Sequence, residues 1–101
     1  MRDPQILESV KATLALLVAA NPGRAIEVRI PPYAAVQCGD GPTHTRGTPP
    51  NVIEMDAETW LALASGATQW VAALQTGKIN ASGARADLSE YLPLAPNRIT
   101  P

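Results

Sequence analysis

The sequence predicts an α/β (α+β) domain with a mainly antiparallel sheet of four to five strands, covered on one face by helices. Two local patterns and one composition argument carry that expectation. Residues Arg24 to Ile30 alternate, with Ile26, Val28 and Ile30 on one face and Glu27 and Arg29 on the other, as in a half-buried strand. The stretch DAETWLALASGATQWVAALQTGKINASG, from Asp56 to Gly83, reads instead as helix, turn, helix, turn, strand. At 101 residues the chain is long enough for one domain that buries about two-thirds of its unfolded surface, so a core forms without disulfides.

Asp3-Pro4 opens the first helix, since Asp caps free amides and Pro in the first turn lacks only a donor that would be unpaired anyway. Ile6, Leu7, Val10, Leu14 and Leu17 recur at helical spacing to about Ala20, and Asn21-Pro22-Gly23 ends the run. The apolar stretch ATLALLVAA falls far short of the roughly twenty residues that cross a bilayer. Asp3 and Glu8 offset the positive charge that precedes a secretory segment, so a buried helix is expected.

Three strands follow. The first is residues 24 to 30, interrupted by Pro31-Pro32; the second is residues 33 to 38, expected to pair with it. The third is residues 51 to 55, with Ile53 and Met55 opposite Val52 and Glu54. In the central stretch Asp56 caps a helix whose apolar face is Trp60, Leu61, Leu63 and Ala64, and Gly66 stops it. Thr68 is expected to cap a second helix carrying Trp70, Val71 and Leu74, closed at Gly77 and followed by a strand over residues 78 to 82. Asp87 and Glu90 resemble a capping box for a last short helix with Leu88, Tyr91 and Leu92, ended by Pro93. Residues 1 to 94 then make a single domain, and residues 95 to 101 a loosely held tail.

Charge and chemistry narrow the function. A net charge of -1 with no Lys/Arg cluster argues against nucleic acid. The single cysteine, Cys38, excludes an internal disulfide framework and fits a reducing, cytoplasmic setting. Cys38 with His44, the only histidine, gives too few ligands for a metal site, and no complete catalytic constellation can be assembled, so neither metal, cofactor nor enzymatic activity is expected. At a strand end Cys38 reads as a small buried hydrophobe. Gly39-Asp40-Gly41 has no helix behind it to hold phosphate. The long connection GDGPTHTRGTPP gathers His44, Thr45 and Arg46, the densest donors in the chain, which suit the polar end of a ligand site; the competing reading is a solvated hairpin loop. Seventeen alanines and no Phe suit either close packing or a lined cavity.

The ordered series PPNVIEMD, an acidic cap, LALASG, a second short helix, TGKI, and SGARADLSEYLPL resembles the sterol carrier protein family, most closely its short bacterial members, over Ile26 to Leu94. The resemblance implies a sterol-carrier-like fold and non-enzymatic binding of a lipid, acyl chain or similar apolar molecule between helices and sheet. The expected lining is Trp60, Leu63, Trp70, Leu74 and Ile79, closed by Leu88 and Tyr91. It also implies an alternative, because domains similar to this one occur fused to mycothiol-dependent maleylpyruvate isomerases: an accessory domain acting with a partner protein or as a homodimer. The chain is shorter than eukaryotic sterol carriers and ends in Ile99-Thr100-Pro101, without their peroxisomal tripeptide, so a roomy sterol tunnel is not expected.

Overall fold

A computed structural model describes residues 3–41 and 51–94 of the chain. The elements are α1 (Pro4–Ala20), β1 (Ile26–Ile30), β2 (Ala34–Cys38), β3 (Val52–Glu54), α2 (Ala57–Ser65), α3 (Trp70–Gln75) and β4 (Asn80–Ser82). The expected tail, 95 to 101, lies outside the described residues.

Helix α1 begins where the sequence places it. The Asp3 carboxylate accepts from the amides of Gln5 (2.8 Å) and Ile6 (3.3 Å), and Pro4 occupies the first turn. Val10, Leu14 and Leu17 are its buried stripe, laid against β2 and α2. At its far end Asn21 caps, and Gly23 turns the chain so closely against the next loop that an added Cβ would stand 1.9 Å from the Gly39 carbonyl oxygen. With φ at +140°, only glycine suits that position.

The sheet order is β2-β1-β3-β4. Strand β1 pairs antiparallel with β2 and β3 pairs antiparallel with β4, but β1 and β3 run parallel, so the sheet is mixed. The register explains the direction. Cys38 lies opposite Ile26, so the chain leaves β2 at the end where β1 began; β3 then starts from that end along the free edge of β1. Val28 sits between Val36 and Ile53, and with Ile26, Ile30 and Cys38 these side chains form the sheet's contribution to the core. Glu27 and Arg29 point to the other face, where they form an ion pair.

Asn51 joins three segments at the entry of β3. Its amide donates to the Ala25 carbonyl (2.8 Å) and its oxygen accepts from the Arg85 amide (2.8 Å). Only 4% of it is exposed, yet both functions of its side chain are satisfied, as a buried polar group requires.

The second half of the chain departs from expectation in four places. Thr68 does not cap α3: its amide bonds back to the Ala62 carbonyl (3.1 Å), closing α2, and Gln69 stands at the cap position without a side-chain bond. The inward face of α3 is Trp70 and Ala73, while Val71 and Leu74 are 59% and 41% exposed, because two turns of helix cannot bury residues on both flanks. Residues 87 to 92 form a single turn and no helix. The Asp87 carboxylate accepts from the Ser89 amide (2.7 Å), two residues on, and Tyr91 closes the turn onto the Leu88 carbonyl (2.9 Å). Leu88 is nonetheless fully buried. Strand β4 is shorter than expected and exposed throughout, with Ile79 buried just ahead of it.

Helix α2 is as read. Asp56 accepts from the Thr59 amide (2.8 Å), and Gly66 ends the helix in the left-handed region at φ 87°. The Thr59 amide, and then its hydroxyl, hold the Asp56 carboxyl below its ordinary value. A carboxylate lowered in the folded state contributes stability that is fully present above its unfolded value and is lost as pH falls through the folded one. Thermal melts taken from about pH 5 down to about pH 2 should therefore show a flatter acid limb for Asp56→Asn than for the parent, because Asn caps without titrating. At the centre of the core, Trp60→Ala should cost about 3 to 5 kcal/mol in denaturant unfolding, and Trp70→Ala a similar amount.

Candidate ligand-binding site

Trp60 is fully buried, and its indole N–H donates to the Thr13 hydroxyl of α1 at 2.8 Å. That hydroxyl is in turn bonded to the Ser9 carbonyl (2.6 Å), so the polar tip of the indole is satisfied while its rings fill the space between α1, α2 and the sheet. Leu63, Trp70, Ile79 and Leu88 join the same buried cluster, and Tyr91 packs on its edge. Of the seven residues expected to line a pocket, five are thus core side chains, Tyr91 is half-buried and Leu74 faces outward. The expected polar group, His44, Thr45 and Arg46, lies outside the described residues.

Space opens where the helices meet. Between α2 and α3 runs a cleft of about 300 Å³ lined by alanine, Ala62 from α2 and Ala72 and Ala73 from α3, together with Thr59, Thr68, Thr76, Glu58 and Lys78. The side chains that face it from the two helices are small, so the seam stays unfilled. On the other side of the Ser65 to Gln69 linker lies a second hollow of about 130 Å³, bounded by Leu63, Gly66, Leu92 and Pro93. Thr68 borders both. Leu63 therefore connects the core cluster to open space, which Trp60 and Leu88 do not.

Tyr91 borders a different groove, of about 260 Å³, with Asp40, Arg85, Asp87 and Glu90 around it and Ala25 and Ile26 beneath. This hollow is charged where the α2–α3 cleft is largely apolar. Cys38 is wholly buried, and burial pushes its thiol up to about 11, as expected of a packing residue and not of a nucleophile. Among the described residues no group of three or more His, Cys, Asp or Glu could hold a metal ion, and no helix is long and apolar enough to cross a membrane.

The alanine-rich composition suits a lined cavity, and helix geometry decides which alanines line it: Ala72, Ala73 and Thr76 share one side of α3, opposite the larger Val71 and Leu74 that dominate its apolar pattern.

No curated protein matches the sequence. A family described as "Bacterial SCP ortholog" matches residues 2–94. That match spans nearly the whole chain and includes every strand and helix of the fold above, and the protein therefore belongs to this bacterial, sterol-carrier-protein-like family.

Proposed function

We propose that the protein is a non-enzymatic carrier that binds an apolar small molecule, such as a lipid, an acyl chain or a sterol-like ligand, at the seam between α2 and α3. Membership of a sterol-carrier-like family suggests a lipid-binding role in general. The observation that carries the finer reading is the alanine lining of the α2–α3 cleft, which leaves about 300 Å³ unfilled and borders the buried cluster through Ala73. That volume is at the lower end of small-molecule sites, which suits a single chain and not a bulky ring system with its tail.

Helix α3, one wall of the cleft, has six residues, lacks a side-chain cap and is anchored by Trp70 and Ala73, features that place it among the less stable parts of a fold. The exposed Val71 and Leu74 also suit the alternative, an accessory domain that presents α3 to a partner protein.

Native mass spectrometry of protein purified without detergent should show a co-purifying lipid. Ala62→Trp places a large side chain in the cleft from a partly exposed position; it should abolish that adduct and leave the melting temperature within a few degrees of the parent. A protein that comes through empty, and takes up no added acyl chain, favours the accessory domain.

A further inference from the structure

Helix α1 is apolar on both sides from Ala12 onward. Leu14 and Leu17 point into the core, and Thr13, the one polar side chain between Ala12 and Ala20, has its hydroxyl engaged between the Ser9 carbonyl and the Trp60 indole. What remains toward solvent is Ala12, Ala15, Leu16, Ala19 and Ala20, all exposed, with 42% of Leu16 uncovered. Alanine alone is ordinary on a helix surface, because it is the best helix former. An outer face that includes a leucine and carries no charge or hydrogen-bonding side chain is not, since a surface helix keeps its polar residues on the side away from the core. We infer that this face packs, antiparallel and about a twofold axis, against the same face of a second copy of the chain, a contact that goes beyond the carrier reading and does not depend on it.

The charges at the two ends of α1 select the occupant and its direction. The first half of the helix exposes Glu8 and Lys11, and Arg24 stands exposed just past its end; none of the three is in an ion pair among the described residues. The last turn holds no basic side chain to offset its carbonyls, the negative end of the helix dipole. Antiparallel packing that lays Ala12 against the partner's Ala19, and Ala15 against the partner's Leu16, covers the whole apolar face. At about 1.5 Å of rise per residue it also brings Lys11 level with the partner's last turn, and Glu8 level with the segment that leads into the partner's Arg24. Each charge then faces its opposite, twice over by symmetry. Parallel packing would set Glu8 beside Glu8 and Lys11 beside Lys11, and a lipid surface would cover the apolar face but leave Glu8 unmatched. One helix face from each side makes a small interface, so association is weak and concentration-dependent.

The test is sedimentation velocity of the full chain from about 10 μM to about 1 mM, the range in which a small interface associates. The parent should pass from monomer to dimer, and Leu16→Glu should move the midpoint upward at least about tenfold, with the melting temperature within a few degrees of the parent. Direction and register are read by disulfide formation, which stands whether or not Leu16→Glu folds. Ala12→Cys mixed with Ala19→Cys should cross-link on mild oxidation and neither variant alone should, the native Cys38 being wholly buried. A parent that stays monomeric throughout, a dimer that Leu16→Glu leaves intact, a mixture that fails to cross-link, or an Ala12→Cys variant that cross-links to itself each overturns the inference. So does a monomeric parent that floats with phosphatidylcholine vesicles when Leu16→Glu does not, a result that gives the face to a lipid surface.

Discussion

The bond from the Trp60 indole to the Thr13 hydroxyl is the contact on which the arrangement of helices depends. An indole buried without a partner would forfeit the hydrogen bond its N–H makes with water, a penalty of about 1 to 3 kcal/mol. Thr13 removes that penalty, and in doing so sets where α1 lies relative to α2, two helices separated in sequence by three of the sheet's four strands. Once α1 and α2 are held together, Val10, Leu14 and Leu17 on one side and Leu63 on the other have a common surface to bury, with the alternating side chains of β1 beneath them. Asn51 performs the corresponding task at the sheet's end, joining the entries of β1 and β3 to the loop after β4. The two polar side chains give the core a definite arrangement, which apolar contact does not impose, being non-directional.

This division of labour leaves α3 at the margin. Its neighbours are tied by polar bonds and large side chains, while it contributes one tryptophan and one alanine to the buried cluster. A sheet-and-helix domain that packed α3 as tightly as α2 would have no seam. The alanines of the α2–α3 cleft are better understood as spacing than as filler: they keep the side-chain volume between the two helices low. Binding in such a site draws on apolar burial for affinity and on the few oriented polar atoms for discrimination, since one methylene more or less alters affinity by only about 1 to 3 kcal/mol.

The starts of α1 and α2, the strand faces and the buried thiol were legible in the sequence because each follows from a residue acting on its immediate neighbours. Asp3 and Asp56 cap amides within three residues; Ile26, Val28 and Ile30 alternate because a strand does; Gly66 adopts a backbone conformation that a Cβ opposes. The family resemblance rests on the order of such signals over Ile26 to Leu94, and the family match extends to residues 2–94. What chain-local signals did not convey was the parallel pairing of β1 with β3, which follows from the end at which β2 finishes and from which edge of β1 remained open. Nor did they show that Asp87 turns the chain within two residues instead of starting a helix, a choice made by the competition between two amides for one carboxylate.

The candidate site divides along the same line. Sequence alone determined that Trp60, Leu63, Trp70, Ile79 and Leu88 are inside, because large apolar side chains at regular spacing leave water wherever a core exists. Only the tertiary structure decided that these side chains fill the space they border, that Val71 and Leu74 turn outward, and that the open volume lies over Ala62, Ala72 and Ala73. The reason is geometric. Burial of a residue is a property of its own surface, whereas a cleft is the volume that two packed elements fail to fill, and that difference is defined only when both are in place.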